Sequence, residues 1–269
     1  MTTRSARGTR WDLGIGTVIS GDVKVSPGVT LELGNDVCIS PGVRIVGKGI
    51  VRFGDYSKIH AGCFISVPEP DSVVEFGCNT WIGERSVLDG RGGLHASHNV
   101  GVGIASHLYS HIAHGDTMGG CRFKSEKPLI IGNDAWFVGQ CLVSPVNVGE
   151  KSMAMLGSTI TRDMEPNTIY AGVPAKDMTE KMGRPWEERP LGERLNMFNE
   201  HLQTYMRETG QYDLPIVGVT EFPAMRDSSI TYFNVATRTY TKRTTYEERN
   251  FMRWFTSWRG RFLPEGGTK

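Results

Sequence analysis

The chain has 269 residues, with 30 Lys and Arg against 29 Asp and Glu and a net charge of +1. That length suffices for one large domain or two modest ones with a real core. The near-neutral balance excludes a protein that coats nucleic acid or is drawn by charge to an anionic membrane. Glycine is the outlier, with 33 residues, roughly 12% where about 7% is usual. Without a G-X-Y period this excess points to many tight turns rather than to collagen.

Residues Met1 to Arg10 are polar and basic with no apolar segment behind them, so no secretory signal is expected there. No apolar run approaches the ~18 residues of a spanning helix, and no membrane insertion is expected. The five cysteines (Cys38, Cys63, Cys78, Cys121 and Cys141) are scattered and form no CxxC pair. They read as reduced thiols, which makes the expected location cytoplasmic.

From Leu13 onward an aliphatic residue recurs every six positions, often with Gly directly behind it. The first run is Leu13, Ile19, Val25 and Leu31, and a two-residue slip restarts it at Leu33, Ile39 and Ile45. Further runs are Phe53, Ile59, Ile65, then Phe76, Ile82, Leu88, Leu94, Val100, and finally Ile131, Phe137, Val143. Four places beyond the aliphatics stand small or β-branched residues such as Val29, Val37, Ser57, Cys63, Thr80, Ser86, Ala135 and Cys141. Two positions sharing one period predict a coil of short strands joined by tight turns, about eighteen residues per turn. Stacked coils then form parallel sheets, roughly seven coils spaced by ~4.8 Å. The aliphatic points inward, the next position is confined enough to favour Gly, and the small residue fills a corner. Cys63 and Cys141 fall in the small slot and are expected to pack rather than react.

This periodicity resembles that of the hexapeptide-repeat family, and the resemblance implies an all-β fold, the left-handed parallel β-helix. A more specific likeness lies in Ile131 to Lys176, which carries Ile131-Gly132-Asn133-Asp134-Ala135-Trp136, Val148-Gly149-Glu150-Lys151, Leu156-Gly157-Ser158 and Ala171-Gly172-Val173-Pro174-Ala175-Lys176. It resembles the C-terminal coils of the hexapeptide acyltransferases that use acetyl-coenzyme A. Two departures are visible: Val143 to Val148 is one residue short of a hexad, and Met155 stands where Gly is usual. The resemblance implies acetyl-CoA as co-substrate and a homotrimer, with the pantetheine arm in the groove between prisms. The matching positions are Gly139, Gln140, Gly157 and Ser158, where small turns let a ligand approach the backbone. Arg162 and Lys176 fall where the family places cations near the nucleotide phosphates.

The repeat breaks between Val100 and Ile131, and a long break in a regular solenoid usually carries function. His107, His111 and His114 crowd into it. Leu108-Tyr109-Ser110-His111 resembles the family's aliphatic-Tyr-Ser/Thr-His string, which ends in the catalytic base. Imidazole suits the removal of a proton from an attacking hydroxyl or amine near neutrality. His114, with Asp116 two places on, is the rival base. A zinc site of the γ-type carbonic anhydrase kind, another hexapeptide-repeat branch, is the lesser alternative, and no metal is expected.

After Lys176 the texture changes. Pro185 and Pro190 mark a linker, and Gly192 to Arg207 places Leu195, Phe198, Leu202 and Tyr205 on one helical face. Leu214 to Val219 and Ile230 to Tyr240 read as strands, the latter alternating apolar and polar. Tyr246 to Phe262 reads as a final helix with Thr245 as N-cap and an aromatic stripe of Phe251, Trp254, Phe255 and Trp258. The expected organisation is thus a β-helix domain over 1–178, with a loop at 106–129, and a small C-terminal α/β extension over 179–269. The resemblance implies a transferase moving an acetyl group from acetyl-CoA to a hydroxyl or amine of a sugar or sugar nucleotide, in cell-surface polysaccharide biosynthesis. A trimeric scaffold without catalysis is the alternative of a different class.

Overall fold

The computed structural model describes residues 10–125 and 127–267. Three parallel sheets are visited in rotation by a single coiling chain. The first holds Arg10–Leu13, Thr30–Leu33, Ile50–Phe53, Val73–Phe76, Leu94–Ala96, Leu129–Ile131 and Asn147–Val148. Two-residue strands such as Val18–Ile19, Trp81–Ile82 and Trp136–Phe137 build the second. Lys24–Val25, Arg44–Gly47, Phe64–Val67, Val87–Asp89, His107–Leu108, Leu142–Val143 and Thr159–Ile160 build the third. This is the parallel β-helix expected from the six-residue period.

The coil length departs from eighteen. In the first coils register partners lie 20 residues apart, Arg10 opposite Thr30 and Thr30 opposite Ile50. The first four strands of the first sheet are four residues long, so two side chains per strand point inward: Leu31 and Leu33 are both buried, as are Val51 and Phe53. The two-residue slip at Leu31–Leu33 is therefore a feature of every early coil. It recurs at Leu94–Ala96, which puts Val102 and Leu108 in the aliphatic slot and Val100 in the corner slot. The last coils shorten to 17 residues, Ile130 opposite Asn147 and Leu142 opposite Thr159. That contraction explains the missing residue between Val143 and Val148.

One apolar core runs along the axis, from Leu31 through Ile65, Ile82 and Leu108 to Phe137 and Ile160. Burying a side chain of this size stabilises by about 1.5–3 kcal/mol. The glycines behind the aliphatics are sterically required: a Cβ on Gly34 would stand 2.5 Å from Asp55 Oδ1, and one on Gly132 2.6 Å from Glu150 N. Cys63 and Cys141 are buried in the corner slot. Burial pushes the Cys63 thiol up to about 11 and raises Cys141 in the same way, so neither is poised as a thiolate.

The corner from the first to the second sheet is tied by a column of side-chain acceptors. Asn35 Oδ1 accepts from Ile15 N (2.8 Å), Asp55 Oδ1 from Asn35 N (2.8 Å), His98 Nδ1 from Cys78 N (3.0 Å) and Asn133 Oδ1 from His98 N (3.0 Å). Each coil thereby fixes the spacing of the next.

The chain divides into two compact units between Trp186 and Glu187. The change of composition read at 178 lies inside the first unit, because the intervening segment is tied back to the last coil. Ile169 N donates to Thr179 Oγ1 (2.9 Å), and Trp186 N donates to Asn167 Oδ1 (3.0 Å).

The second unit holds helices Leu191–Thr209 and Tyr246–Phe255 and a four-stranded sheet in the order Ile216–Val219, Thr231–Asn234, Thr239–Tyr240, Leu263–Pro264. Its core is aromatic, with Phe198, Tyr205, Phe233, Tyr240, Phe251, Phe255 and Phe262 all buried. Thr245 caps the second helix by accepting from Glu248 N (3.3 Å). Glu248 is 1% exposed, and its carboxylate accepts from Thr231 Oγ1, Arg243 N and Thr244 N (3.0, 2.8 and 3.0 Å). Two expectations are corrected here. The final helix stops at Phe255, before Trp258 with its φ of 82°. All four residues of Thr231–Asn234 are buried, so no polar outer face alternates there.

Candidate functional site

The break in the repeat is narrower than the sequence suggested. The coil continues through Gly101–Val102 and His107–Leu108, and the chain leaves it only after Tyr109, whose N–H still donates to Val143 O (2.9 Å). Ile112–Ala113 then pairs antiparallel with Lys124–Ser125 in an exposed excursion, and Leu129 rejoins the first sheet.

His111 stands at the root of that excursion, at the corner from the third to the first sheet. Its Nδ1 lies 2.6 Å from Asp89 Oδ2. Asp89 is 5% exposed, and the same oxygen accepts from Ser110 N (3.0 Å) and Ser110 Oγ (3.1 Å). Ser110 is buried, and its hydroxyl also accepts from Gly92 N (2.9 Å). The rival, His114, lies exposed beyond Ile112–Ala113.

The other histidines are held in different ways. His95 Nδ1 is 2.6 Å from Glu75 Oε1, on the outer face of the first sheet. His107 Nδ1 is 3.2 Å from Tyr109 Oη. The His60 ring lies tilted against Trp81, centroids 5.1 Å apart, and burial followed by Lys58 lowers its proton affinity. Among the described residues no group of three or more His, Cys, Asp or Glu side chains is placed to hold a metal ion.

Gly139, Gln140 and Gly157 come together at a different corner, that from the second to the third sheet. Gln140 N donates to Ile104 O (2.8 Å) and Gly157 N to Gly139 O (3.0 Å). A Cβ on Gly157 would meet nothing within 4 Å, so this corner opens outward. Ser158 does not share that opening. It sits four places beyond Ala154 in the inward slot, is fully buried, and its Oγ has no hydrogen-bond partner. Its N–H donates to Met155 O (3.2 Å) and its carbonyl accepts from Leu142 N (2.9 Å). It is a packing residue, and neither its hydroxyl nor its N–H is available at the surface.

Arg162 is exposed at the same corner as His111, two coils further along, beside Asp163. The Asn147 amides hold the Asp163 carboxyl below its ordinary range, the backbone N–H first. Lys176 is exposed on Ala175–Asp177, paired antiparallel with Ile169–Gly172. His111 and the Gly139–Gly157 corner thus occupy the two opposite edges of the third sheet. The chain path from Ala105 at one edge to His111 at the other is at most roughly 20 Å at the rise of extended strand.

No protein-family model matches the chain. Over 54 residues it is 37% identical to the galactoside O-acetyltransferase of Escherichia coli, covering 20% of this chain and 27% of that enzyme. Over 55 residues it is 38% identical to a putative acetyltransferase of Staphylococcus aureus, covering 20% and 28%. This chain is similar to hexapeptide-repeat acetyltransferases. It is also 27% identical over 176 residues to the bifunctional protein GlmU of Acinetobacter baylyi, covering 52% of this chain and 38% of that protein. The matched stretches thus span between about a quarter and two fifths of these relatives. Among solved structures, an N-acyltransferase of Bacillus cereus in complex with dTDP and coenzyme A superposes with a TM-score of 0.49 at 20% identity, covering 64% of this chain and 91% of that one. A hexapeptide-repeat acetyltransferase of Vibrio cholerae in complex with acetyl coenzyme A gives 0.38 at 18% identity, covering 61% and 70%.

Asp89 and Ser110 escape a reading of the six-residue period. In register Asp89 stacks on Ser66, and Ser66 on Val46. An acid closing a column of small and apolar residues is a signal, but it becomes visible only once the longer coil is known.

Proposed function

We propose that this protein is an acyltransferase that moves an acetyl group from acetyl-CoA to a hydroxyl or amine of a sugar or sugar nucleotide, with His111 as general base. The carrying observation is the imidazole anchored through Nδ1 at the root of the excursion, with Nε2 left for proton transfer. The similarity to acetyltransferases, one of them named for a galactoside substrate, supports the reaction class. As the acceptor oxygen or nitrogen attacks the thioester carbonyl, its proton passes to His111 Nε2. The tetrahedral intermediate then expels the coenzyme thiolate, which takes that proton back. No protein nucleophile is required, in keeping with Cys63 and Cys141, which are buried and disfavoured as thiolates.

The donor lies along the open corner of Gly139, Gln140 and Gly157 of one copy; Lys176, and Arg162 from the His111 edge of a neighbouring copy, offer counter-charge to its phosphates. In one chain that corner is remote from His111, so a complete site takes the His111 edge of one copy and the glycine corner of another. A closed cyclic assembly satisfies this, and a homotrimer is the proposed state. The acceptor belongs to cell-surface polysaccharide synthesis in this reading, and the work is done in the cytoplasm. Among the described residues no helix is long and apolar enough to cross a membrane.

The test is incubation with acetyl-CoA and a panel of hexoses, amino sugars and sugar nucleotides while free thiol is followed. Acceptor-dependent thiol release is expected. Neither release nor coenzyme binding would instead fit a scaffold without catalysis.

A further inference from the structure

The assignment of His111 as base leaves Asp89 unexplained. A carboxylate taken out of water costs free energy unless it is paired and hydrogen-bonded. Corners of this coil close without one: Ser66 holds the same register position a coil earlier, and its carbonyl accepts from Gly90 N (2.8 Å). Asp89 nevertheless gathers three donors on a single oxygen, and the shortest contact is to His111.

We propose, resting on the reading of His111 as base, that Asp89 is the positioning residue of this site and that Ser110 holds its carboxylate in register. An ionised carboxylate accepts and does not donate. The hydrogen on the imidazole must therefore sit on Nδ1, which leaves the Nε2 lone pair to take the acceptor's proton. Ser110 fixes the geometry in two directions. Its hydroxyl hydrogen is committed to Asp89 while its lone pair receives Gly92 N–H, so the corner of one coil and the root of the excursion are locked together.

The same carboxylate offsets the positive charge that appears on the imidazole when the proton arrives. It keeps no proton itself, and the coenzyme thiolate removes the one from Nε2. The contribution is greatest for a hydroxyl acceptor, whose proton is hard to remove, and smaller for an amine that reaches the site already neutral.

Two substitutions separate charge from geometry. In Asp89→Asn the amide oxygen can occupy the Oδ2 position and receive all three donors, so the tautomer is kept while the charge is lost. In Asp89→Ala both are lost. Ring-nitrogen NMR on ¹⁵N-histidine-labelled protein, with His111 assigned through His111→Gln, should show Nδ1–H in wild type and in Asp89→Asn. Asp89→Ala should lose that signature. With acetyl-CoA and a hexose from the panel, Asp89→Asn should lower kcat on the order of 10²-fold with little change in KM for acetyl-CoA.

Near-UV circular dichroism and light scattering must match wild type for each variant; if Asp89→Ala fails to fold, Asp89→Asn and the wild-type tautomer still decide. An Nε2–H tautomer in wild type overturns the proposal whatever the activity. Wild-type kcat in Asp89→Asn together with an unaltered tautomer in Asp89→Ala overturns it as well. Undiminished turnover by His111→Ala, alongside an Nδ1–H signature in the wild-type protein, would instead defeat the base assignment on which the proposal rests.

Discussion

His98 Nδ1 accepts the backbone N–H of Cys78 at 3.0 Å, taking the place that Asn35, Asp55 and Asn133 hold in other coils. An imidazolium has no lone pair to offer there, so this bond exists only while His98 is neutral. Burial lowers its proton affinity below the ordinary imidazole value, with a smaller opposing effect from Asp134.

That arrangement sets a pH dependence. The unfolded chain binds a proton at this residue from about pH 6.5 downward, whereas the folded chain resists until a lower pH. Stability from His98 is therefore complete above about 6.5 and is lost as pH falls toward the folded-state value. His98→Asn keeps an acceptor for Cys78 N and removes the titration. Its melting temperature should fall less than that of wild type between about pH 7.5 and pH 5.5. His60, lowered in the same direction, remains in both proteins, so the difference between them isolates His98. Equal falls would show that His98 does not titrate in this window.

The two candidate bases are separated by their surroundings. His111 is anchored to buried Asp89, and His114 is exposed. His111→Ala should lower turnover by roughly 10²–10⁴-fold, the range for losing a general base, and leave coenzyme affinity nearly unchanged. His114→Ala should stay within a few-fold of wild type. Steady-state kinetics on both variants checks this, and the reverse ranking would move the base to His114.

Periodicity made the parallel coil legible because each aliphatic and each corner residue answers to one local constraint, namely the interior it fills. Ile59, Ile82 and Leu88 are buried as that rule demands, and Gly34 stands where no Cβ fits. The length of a coil was less legible, since Leu31 and Leu33 look like a single slip until the register shows it recurring. The Asp89–His111 pair was illegible, because the partners are 22 residues apart and neither belongs to a motif that names the other. Ser158 lies buried away from the open corner for a related reason. The hexad that fixes its slot turns its side chain inward, while the likeness to a coenzyme track treats the whole turn as surface.

The coenzyme corner can be tested without breaking the fold. Gly157 has φ of 73°, but Arg85, Ala105 and Gln140 hold the same corner in other coils at 56°, 53° and 51°. A side chain is thus tolerated there at a cost of about 1–2 kcal/mol for the left-handed backbone. Gly157→Gln places its side chain in the open space beside the corner and should weaken binding of coenzyme A, read by isothermal titration. Lys176→Ala should act more mildly, by about 1 kcal/mol or less, as for exposed charges. Ser158→Ala is the internal control: it removes a buried, partnerless hydroxyl and should leave coenzyme affinity unchanged. Its urea midpoint should stay level or rise slightly, since no hydrogen bond is lost. Wild-type affinity in Gly157→Gln would place the donor elsewhere.

The separation of His111 from the Gly139–Gly157 corner carries the strongest consequence for assembly. The two lie at opposite edges of the third sheet, so a site made of both draws on two copies. Light scattering should give three times the chain mass, and a monomer at micromolar concentration would remove the shared site. Mass alone does not show that the copies share chemistry, whereas complementation does. His111→Ala protein retains an intact glycine corner, and Gly157→Gln protein retains an intact His111. Unfolded together and refolded at equal concentration, they form mixed assemblies in which some sites join the sound edge of each. If each site takes one edge from each of two neighbouring copies, random mixing in a ring leaves about one site in four intact. Activity of the refolded mixture should therefore recover to about a quarter of similarly refolded wild type, at acetyl-CoA concentrations where the parent proteins are nearly silent. Sites built within one chain would instead leave the mixture no better than the average of its parents, because every chain then carries one defective edge.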